Sequence, residues 1–174
     1  MMSTLLRNGI LATAERDVVE RFVRDSRWSR ALVARFVAGD RLEDALAAAT
    51  RLAGQGLTTT LDRLGENVLT PDEARSAVES YAATLREMAA SKLDPNISVK
   101  LTMLGLDVGD DVAYDNMLLL LETARSVDGF VRIDMEGSAY TERTLAITEA
   151  LQARVPGLVG TVIQAYLHRS DRDL

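Results

Sequence analysis

Lys100, Asp134 and Gln164 are the side chains of this sequence whose types and spacing best suit chemistry. Each lies in a short segment where polar and apolar residues alternate. In Ile97-Ser98-Val99-Lys100-Leu101-Thr102-Met103 the even positions are Ser, Lys and Thr and the odd ones are apolar. In Val131-Arg132-Ile133-Asp134-Met135-Glu136 the even positions are Arg, Asp and Glu, and in Val162-Ile163-Gln164-Ala165-Tyr166 the polar Gln164 and Tyr166 share one parity. Extended chain points successive side chains to opposite faces, so each segment has one apolar and one polar face. Strands covered by helices on both faces read instead as nearly continuous apolar runs. The polar face must therefore point into a barrel interior or toward solvent. Polar groups at the carboxyl ends of parallel strands are where barrel active sites are built, so Lys100, Asp134 and Gln164 are expected to converge on one pocket.

A lysine and an aspartate in one low-dielectric pocket stabilise each other's charged forms. Such a pair suits Schiff-base chemistry on Lys100, proton abstraction, or binding of a zwitterion whose carboxylate meets the lysine. The spacing does not choose among these. Purely structural roles compete: Lys100 as an edge-strand charge that opposes aggregation, Asp134 as the cap of a turn, Glu136 as a cap or a solvent-facing carboxylate. His168 reads as an exposed loop residue. Asp62 and Glu66 read equally as a carboxylate pair at a strand end and as ordinary turn and helix-start residues.

Extended candidates are Val33–Ala38, Leu57–Leu61, Ile97–Met103, Phe130–Met135 and Gly160–Leu167, short and bounded by Gly, Pro, Asp or Asn. Helical patterns alternate with them. Leu42, Ala45, Leu46, Ala49, Leu52 and Ala53 share one helix face, with Asp40 and Glu43 placed as a capping box and Gly54 and Gly56 as the stop. Thr70-Pro71-Asp72-Glu73 is the strongest helix start: Thr70 caps, Pro71 takes the first helical position, and Glu73 completes the box. Its stripe is Val78, Tyr81, Leu85 and Met88, and the helix should stop before Pro95. Ala113, Met117, Leu120, Leu121 and Ala124 form the next apolar face. Thr141 is placed to cap a helix reaching about Arg154, which Pro156-Gly157 ends. Val18, Val19, Phe22 and Val23 suggest an N-terminal helix, with Trp28 and Leu32 packing after it.

Strand alternating with helix predicts a parallel α/β fold. The five strand starts, near residues 33, 57, 97, 130 and 160, recur about every 31 residues. A five-stranded doubly wound sheet fits the length of 174 residues, but would normally cover its last strand with a helix. Eight such units with an N-terminal arm would need about 280 residues, close to a (β/α)8 barrel of ~250 with an addition. The expected fold is thus a (β/α)8 TIM-barrel type cut after its fifth strand, with a helical arm over 1–32 and five βα units over 33–174.

Composition narrows the function classes. The sequence is 47% apolar and 26% charged, which suits a globular domain rather than a disordered chain. Cysteine is absent and histidine occurs once, which leaves no thiolate chemistry and argues against a histidine metal centre; no metal site is expected. The net charge of −6 argues against nucleic acid as a partner. No run approaches the ~18 apolar residues of a membrane span, and the N-terminus lacks a secretory pattern. A cytoplasmic protein is expected, with peripheral attachment at the inner membrane left open.

Four segments resemble the proline dehydrogenase family. They are Thr60-Leu61-Asp62-Arg63-Leu64-Gly65-Glu66; Ile97 to Thr102 with Leu104-Gly105-Leu106; Arg132-Ile133-Asp134-Met135-Glu136-Gly137-Ser138 with Thr141 and Thr144-Leu145; and Gln164-Ala165-Tyr166-Leu167-His168-Arg169 with Asp173-Leu174. The likeness runs from about Val33 onward. It implies a (β/α)8 barrel holding FAD noncovalently and oxidising L-proline to Δ1-pyrroline-5-carboxylate, with electrons passing to a quinone. By this resemblance Lys100 contacts the proline carboxylate and Asp134 is catalytic beside flavin and substrate. The Met135 backbone and the Gln164 side chain bind the isoalloxazine. A pyrroline-5-carboxylate dehydrogenase is the implied partner for the product.

The family's later motifs are not found: a basic-Gly-Ala-Tyr segment on the sixth strand, paired arginines on a helix after the eighth, and an arginine near the flavin's reactive nitrogen. Arg169 and Arg172 follow the fifth strand and do not replace them. The expectation is a piece that binds FAD poorly and oxidises proline little by itself. Alternatives are a noncatalytic fragment completed by another chain, a doubly wound binding domain, and a Schiff-base lyase using Lys100.

Overall fold

A computed structural model describes residues 37–65 and 68–174. By its contacts the chain divides between Ala45 and Leu46. The expected arm over 1–32, residues 33–36 of the first expected strand, and Glu66 lie outside the described residues, and Val37 and Ala38 form no strand.

Helix α1 spans Leu42–Ala53. Its start shows the ion pairs of the exposed Arg41 with Glu43 and Asp44 rather than an Asp40–Glu43 box. The stop is as expected: Gly56 takes φ 80°, and the Leu57 amide bonds back to the Leu52 carbonyl at 3.1 Å. Helix α2, Pro71–Ala90, follows its predicted start closely. The Glu73 amide donates to Thr70 Oγ1 at 3.3 Å, and the Thr70 hydroxyl donates to Glu73 Oε2 at 2.8 Å. Thr70→Ala is expected to lower the unfolding free energy by about 1 kcal/mol, read as a lower urea midpoint with an unchanged slope.

Among the described residues the sheet has four parallel strands: β1 (Leu61–Asp62), β2 (Asn96–Val99), β3 (Phe130–Ile133) and β4 (Val159–Thr161), in that spatial order. Helices α3 (Asp110–Ser126) and α4 (Thr141–Arg154) connect the last three strands. Thr141 opens α4 as its first helical residue instead of capping it. A short helix α5, Ser170–Asp173, ends the chain.

Register sets the two faces. Asp62 pairs with Ser98, Ser98 with Arg132, and Arg132 with Gly160, which puts this polar row on one face. Ile97, Val99, Val131 and Ile133 lie on the other face, fully buried in a core with Leu85 and Met88 of α2 and Met117, Leu120 and Leu121 of α3. A parallel sheet whose order never reverses, joined by right-handed crossovers, collects its helices on one face. It also has no switch point of the kind a doubly wound sheet uses for binding.

Three strands stop earlier than their alternation predicted. β2 ends at Val99, and Leu101–Leu104 turns into a 3-10 helix closed by Gly105 at φ 94°. A Cβ on Gly105 would stand 2.8 Å from Val112 Cγ1, so glycine is required by both conformation and space. In a tight turn alternation no longer separates faces, and Leu101, Thr102, Met103 and Leu104 are all buried. β3 ends at Ile133, and β4 covers Val159–Thr161 instead of Gly160–Leu167, with Gln164 to Leu167 forming a turn.

Candidate functional site

The site forms where the polar face meets the carboxyl ends of the strands. Lys100 follows β2 directly, and Asp134 follows β3, its amide bonded to the Val99 carbonyl at 2.9 Å. The Lys100 ammonium lies 3.3 Å from Asp62 Oδ2 and 3.9 Å from Asp134 Oδ2, with about a fifth of its side chain exposed. Two carboxylates thus flank one cation, most of whose side chain is withdrawn from solvent. Asp134 is itself held, since the buried Ser98 hydroxyl donates to its Oδ1 at 2.5 Å. The expected Lys100–Asp134 pairing is present, and Asp62 joins it from β1.

Gln164 reaches the same place from beyond β4. Its Nε2 donates to the Met135 carbonyl at 3.4 Å, a long bond that leaves both groups available to another partner. Lys100, Met135, Glu136, Tyr140, Gln164 and Tyr166 help to line a cleft of about 610 Å³. Of the four residues singled out from sequence, Lys100, Met135 and Gln164 line the cleft, and Asp134 stands behind Lys100, its Oδ2 3.9 Å from the ammonium.

Sequence reasoning missed the part played by Glu136. Half-exposed at the cleft, it is tied to the turn after β2: its carboxylate accepts from the Thr102 amide at 3.1 Å and from the Thr102 hydroxyl at 2.5 Å. Thr60 and Arg132 were also passed over. Arg132 Nη1 donates to Thr60 Oγ1 at 2.9 Å, and Thr60 donates to Asn96 Oδ1 at 3.1 Å, which laces three strands across the polar face. Tyr81 lies buried on α2, and burial, then the negative charge of Asp62, pushes its hydroxyl well above the usual phenol range. It therefore stays protonated near neutral pH.

His168 is exposed, as expected. Arg169 is bound to Asp173 and, at 2.9 Å, to Glu142, which holds its guanidinium above its ordinary range and the Asp173 carboxyl below its own. Neither Arg169 nor Arg172 lines the cleft. Among the described residues no group of three His, Cys, Asp or Glu side chains could hold a metal ion. No described helix is long and apolar enough to cross a membrane.

Residues 45–174 match the proline dehydrogenase family, a stretch that includes every side chain of the site. The chain belongs to the proline dehydrogenase family. Proline dehydrogenase 1 of Bacillus subtilis subsp. natto is 35% identical over 170 residues, which is 98% of this chain and 56% of that protein. The proline dehydrogenase of Deinococcus radiodurans is 32% identical, again over 98% of this chain and 56% of the relative. The chain thus spans about half the length of these curated relatives. Among solved structures, proline utilization A (PutA) from Bdellovibrio bacteriovorus, inactivated by N-propargylglycine, is similar with a TM-score of 0.69 at 25% identity. That match covers 79% of this chain and 17% of the PutA chain. The α/β architecture with its parallel sheet is therefore that of a proline dehydrogenase domain.

Proposed function

We propose that this chain carries the lysine–aspartate wall of a FAD-dependent proline dehydrogenase that oxidises L-proline to Δ1-pyrroline-5-carboxylate. The observation that carries this reading is the Lys100 ammonium between Asp62 and Asp134, on the wall that also presents Met135 and Gln164. The names of the relatives support the reaction. The PutA relative is inactivated by N-propargylglycine, a secondary amino acid as proline is, which supports a site for a secondary amine beside a carboxylate.

Proline is a zwitterion, and the site offers both matching charges. Lys100 meets the substrate carboxylate, and its move toward that new anion loosens its hold on Asp62. Asp134 is the catalytic carboxylate; Ser98 keeps it oriented, and it faces the substrate's ammonium. The Met135 carbonyl and the Gln164 amide supply an acceptor and both amide functions side by side, a donor set that fits the edge of an isoalloxazine ring. Bound FAD supplies the two-electron acceptor that allows the ring C–N single bond to become C=N.

The unreversed strand order supports closure into a (β/α)8 barrel, and β1 and β4 are the edges at which further strands would join. The relatives' greater length, of which this chain spans 56%, favours a working enzyme that also includes the part of the family fold not matched here. A quinone acceptor gives the electrons an exit at a membrane, which suits a cytoplasmic protein peripherally attached at the inner membrane. The bifunctional naming of the PutA relatives supports hand-over of the product to pyrroline-5-carboxylate dehydrogenase.

Dye reduction by the chain with FAD, alone and mixed with the C-terminal half of the Bacillus subtilis relative, tests the reading. Reduction that depends on L-proline in the mixture, and little in the chain alone, is expected. A flavin-loaded mixture with no response to proline would remove the assigned activity. Full turnover by the chain alone would remove the need for a completing segment.

A further inference from the structure

The two residues after Lys100 leave the strand and turn, so the direction of the lysine depends on what fixes that turn. Thr102 is fully buried in it. Both of its donors, the amide at 3.1 Å and the hydroxyl at 2.5 Å, end on the Glu136 carboxylate, 34 residues away in sequence. The Thr102 carbonyl accepts from the Val68 amide at 3.2 Å, so the residue is tied on both sides. On the strand side of Lys100, Ser98 is bonded to Asp134 in the same manner. Lys100 therefore stands two residues from each of two side-chain ties, Ser98 to Asp134 and Thr102 to Glu136, that bind its segment to the chain leaving β3.

We propose that Glu136 is a positioning residue for Lys100: by holding both donors of Thr102, it fixes the turn that aims the ammonium between Asp62 and Asp134. The geometry stands without the assigned reaction; only the role of Lys100 toward a substrate rests on that reading. A carboxylate is suited to the task because two donors can end on its two oxygens at once. Without it the buried amide and hydroxyl of Thr102 lose their partner, and the turn must rearrange to find others.

The chain offers a direct readout, since Lys92 and Lys100 are its only lysines. Lys92 is exposed beyond the end of α2, and Lys100 is shielded and ion-paired. Acylation of the intact protein by a small amine reagent, followed by peptide mass spectrometry, gives the ratio of the two labelling rates. Glu136→Gln is expected to raise the Lys100/Lys92 ratio at least threefold. Thr102→Val keeps every charge and removes only the hydroxyl, so a rise in that variant separates loss of the tie from loss of a nearby negative charge. Thr102→Ser keeps both donors and should preserve the native ratio.

Circular dichroism accompanies each variant, and if Glu136→Gln fails to fold, Thr102→Val decides. A folded Thr102→Val whose ratio stays at the native value would overturn the proposal. Because no flavin or proline is needed, failure here is distinct from failure of the proline dehydrogenase reading. Where the assembled enzyme turns over, Glu136→Gln should raise KM for L-proline several-fold with kcat little changed.

Discussion

Lys100→Met is expected to lower kcat/KM for L-proline by about 100-fold in the assembled enzyme, mostly through KM. Truncating one member of a hydrogen-bonded charge pair in a ligand site costs about 2–5 kcal/mol, and the partial exposure of Lys100 places the effect below the middle of that range. A contact with the substrate carboxylate exists equally in ground and transition states, so its loss raises KM and leaves kcat near its native value. Methionine retains the length of the stem and removes the charge, leaving Asp62 and Asp134 without the cation between them. Lys100→Arg is not expected to restore binding, because a planar guanidinium does not occupy the place of a compact ammonium between two carboxylates. Steady-state kinetics over a wide proline range check this. A drop confined to kcat, at unchanged KM, would assign Lys100 to the chemical step instead of the carboxylate.

Leu85→Ala carries the largest expected effect on stability, about 3 kcal/mol by the usual cost of truncating a core leucine. Leu85 is fully buried on α2 and lies against the turn that leads into β3: a Cβ on Gly129 would stand 3.3 Å from Leu85 Cδ2 and 2.8 Å from the Pro95 carbonyl oxygen. That turn has little room to collapse, because the Gly129 amide is bonded to the Ala124 carbonyl and the Phe130 amide to the Pro95 carbonyl, both at 2.8 Å. The cavity therefore stays open. Urea unfolding should show a lower midpoint with unchanged slope, and a loss under 1 kcal/mol would mean that the α2–sheet contact is not part of the cooperative core.

Helix positions were legible because their signals are local. Thr70, Pro71 and Glu73 lie within one turn of each other, and the stripe of Val78, Tyr81, Leu85 and Met88 repeats at helical spacing. The polar parity of β2 and β3 was legible for the same reason, and Lys100 and Asp134 lie just past the ends of those strands with their charged groups 3.9 Å apart. Strand ends were not. Ser98, Lys100 and Thr102 continue one alternation through a point where the backbone stops being extended, and only Gly105, a left-handed closing residue, marked the turn. Glu136 could not be placed by pattern, since its partner Thr102 is reached only once β2 and β3 are paired in register. Asp62 was placed at a strand end from sequence, as one of a pair with Glu66, but its contact with Lys100 follows only from the register of β1 on β2.

The central claim is that flavin and proline meet on the polar face of this sheet. It is tested most directly by the visible spectrum of the protein loaded with FAD, mixed with the C-terminal half of the Bacillus subtilis relative, under anaerobic titration with L-proline. The account predicts that L-proline bleaches the flavin band, and that Lys100→Met needs about 100-fold more proline for the same bleaching. A retained flavin band that L-proline leaves unchanged, or one bleached equally well in the Lys100→Met protein, would contradict it.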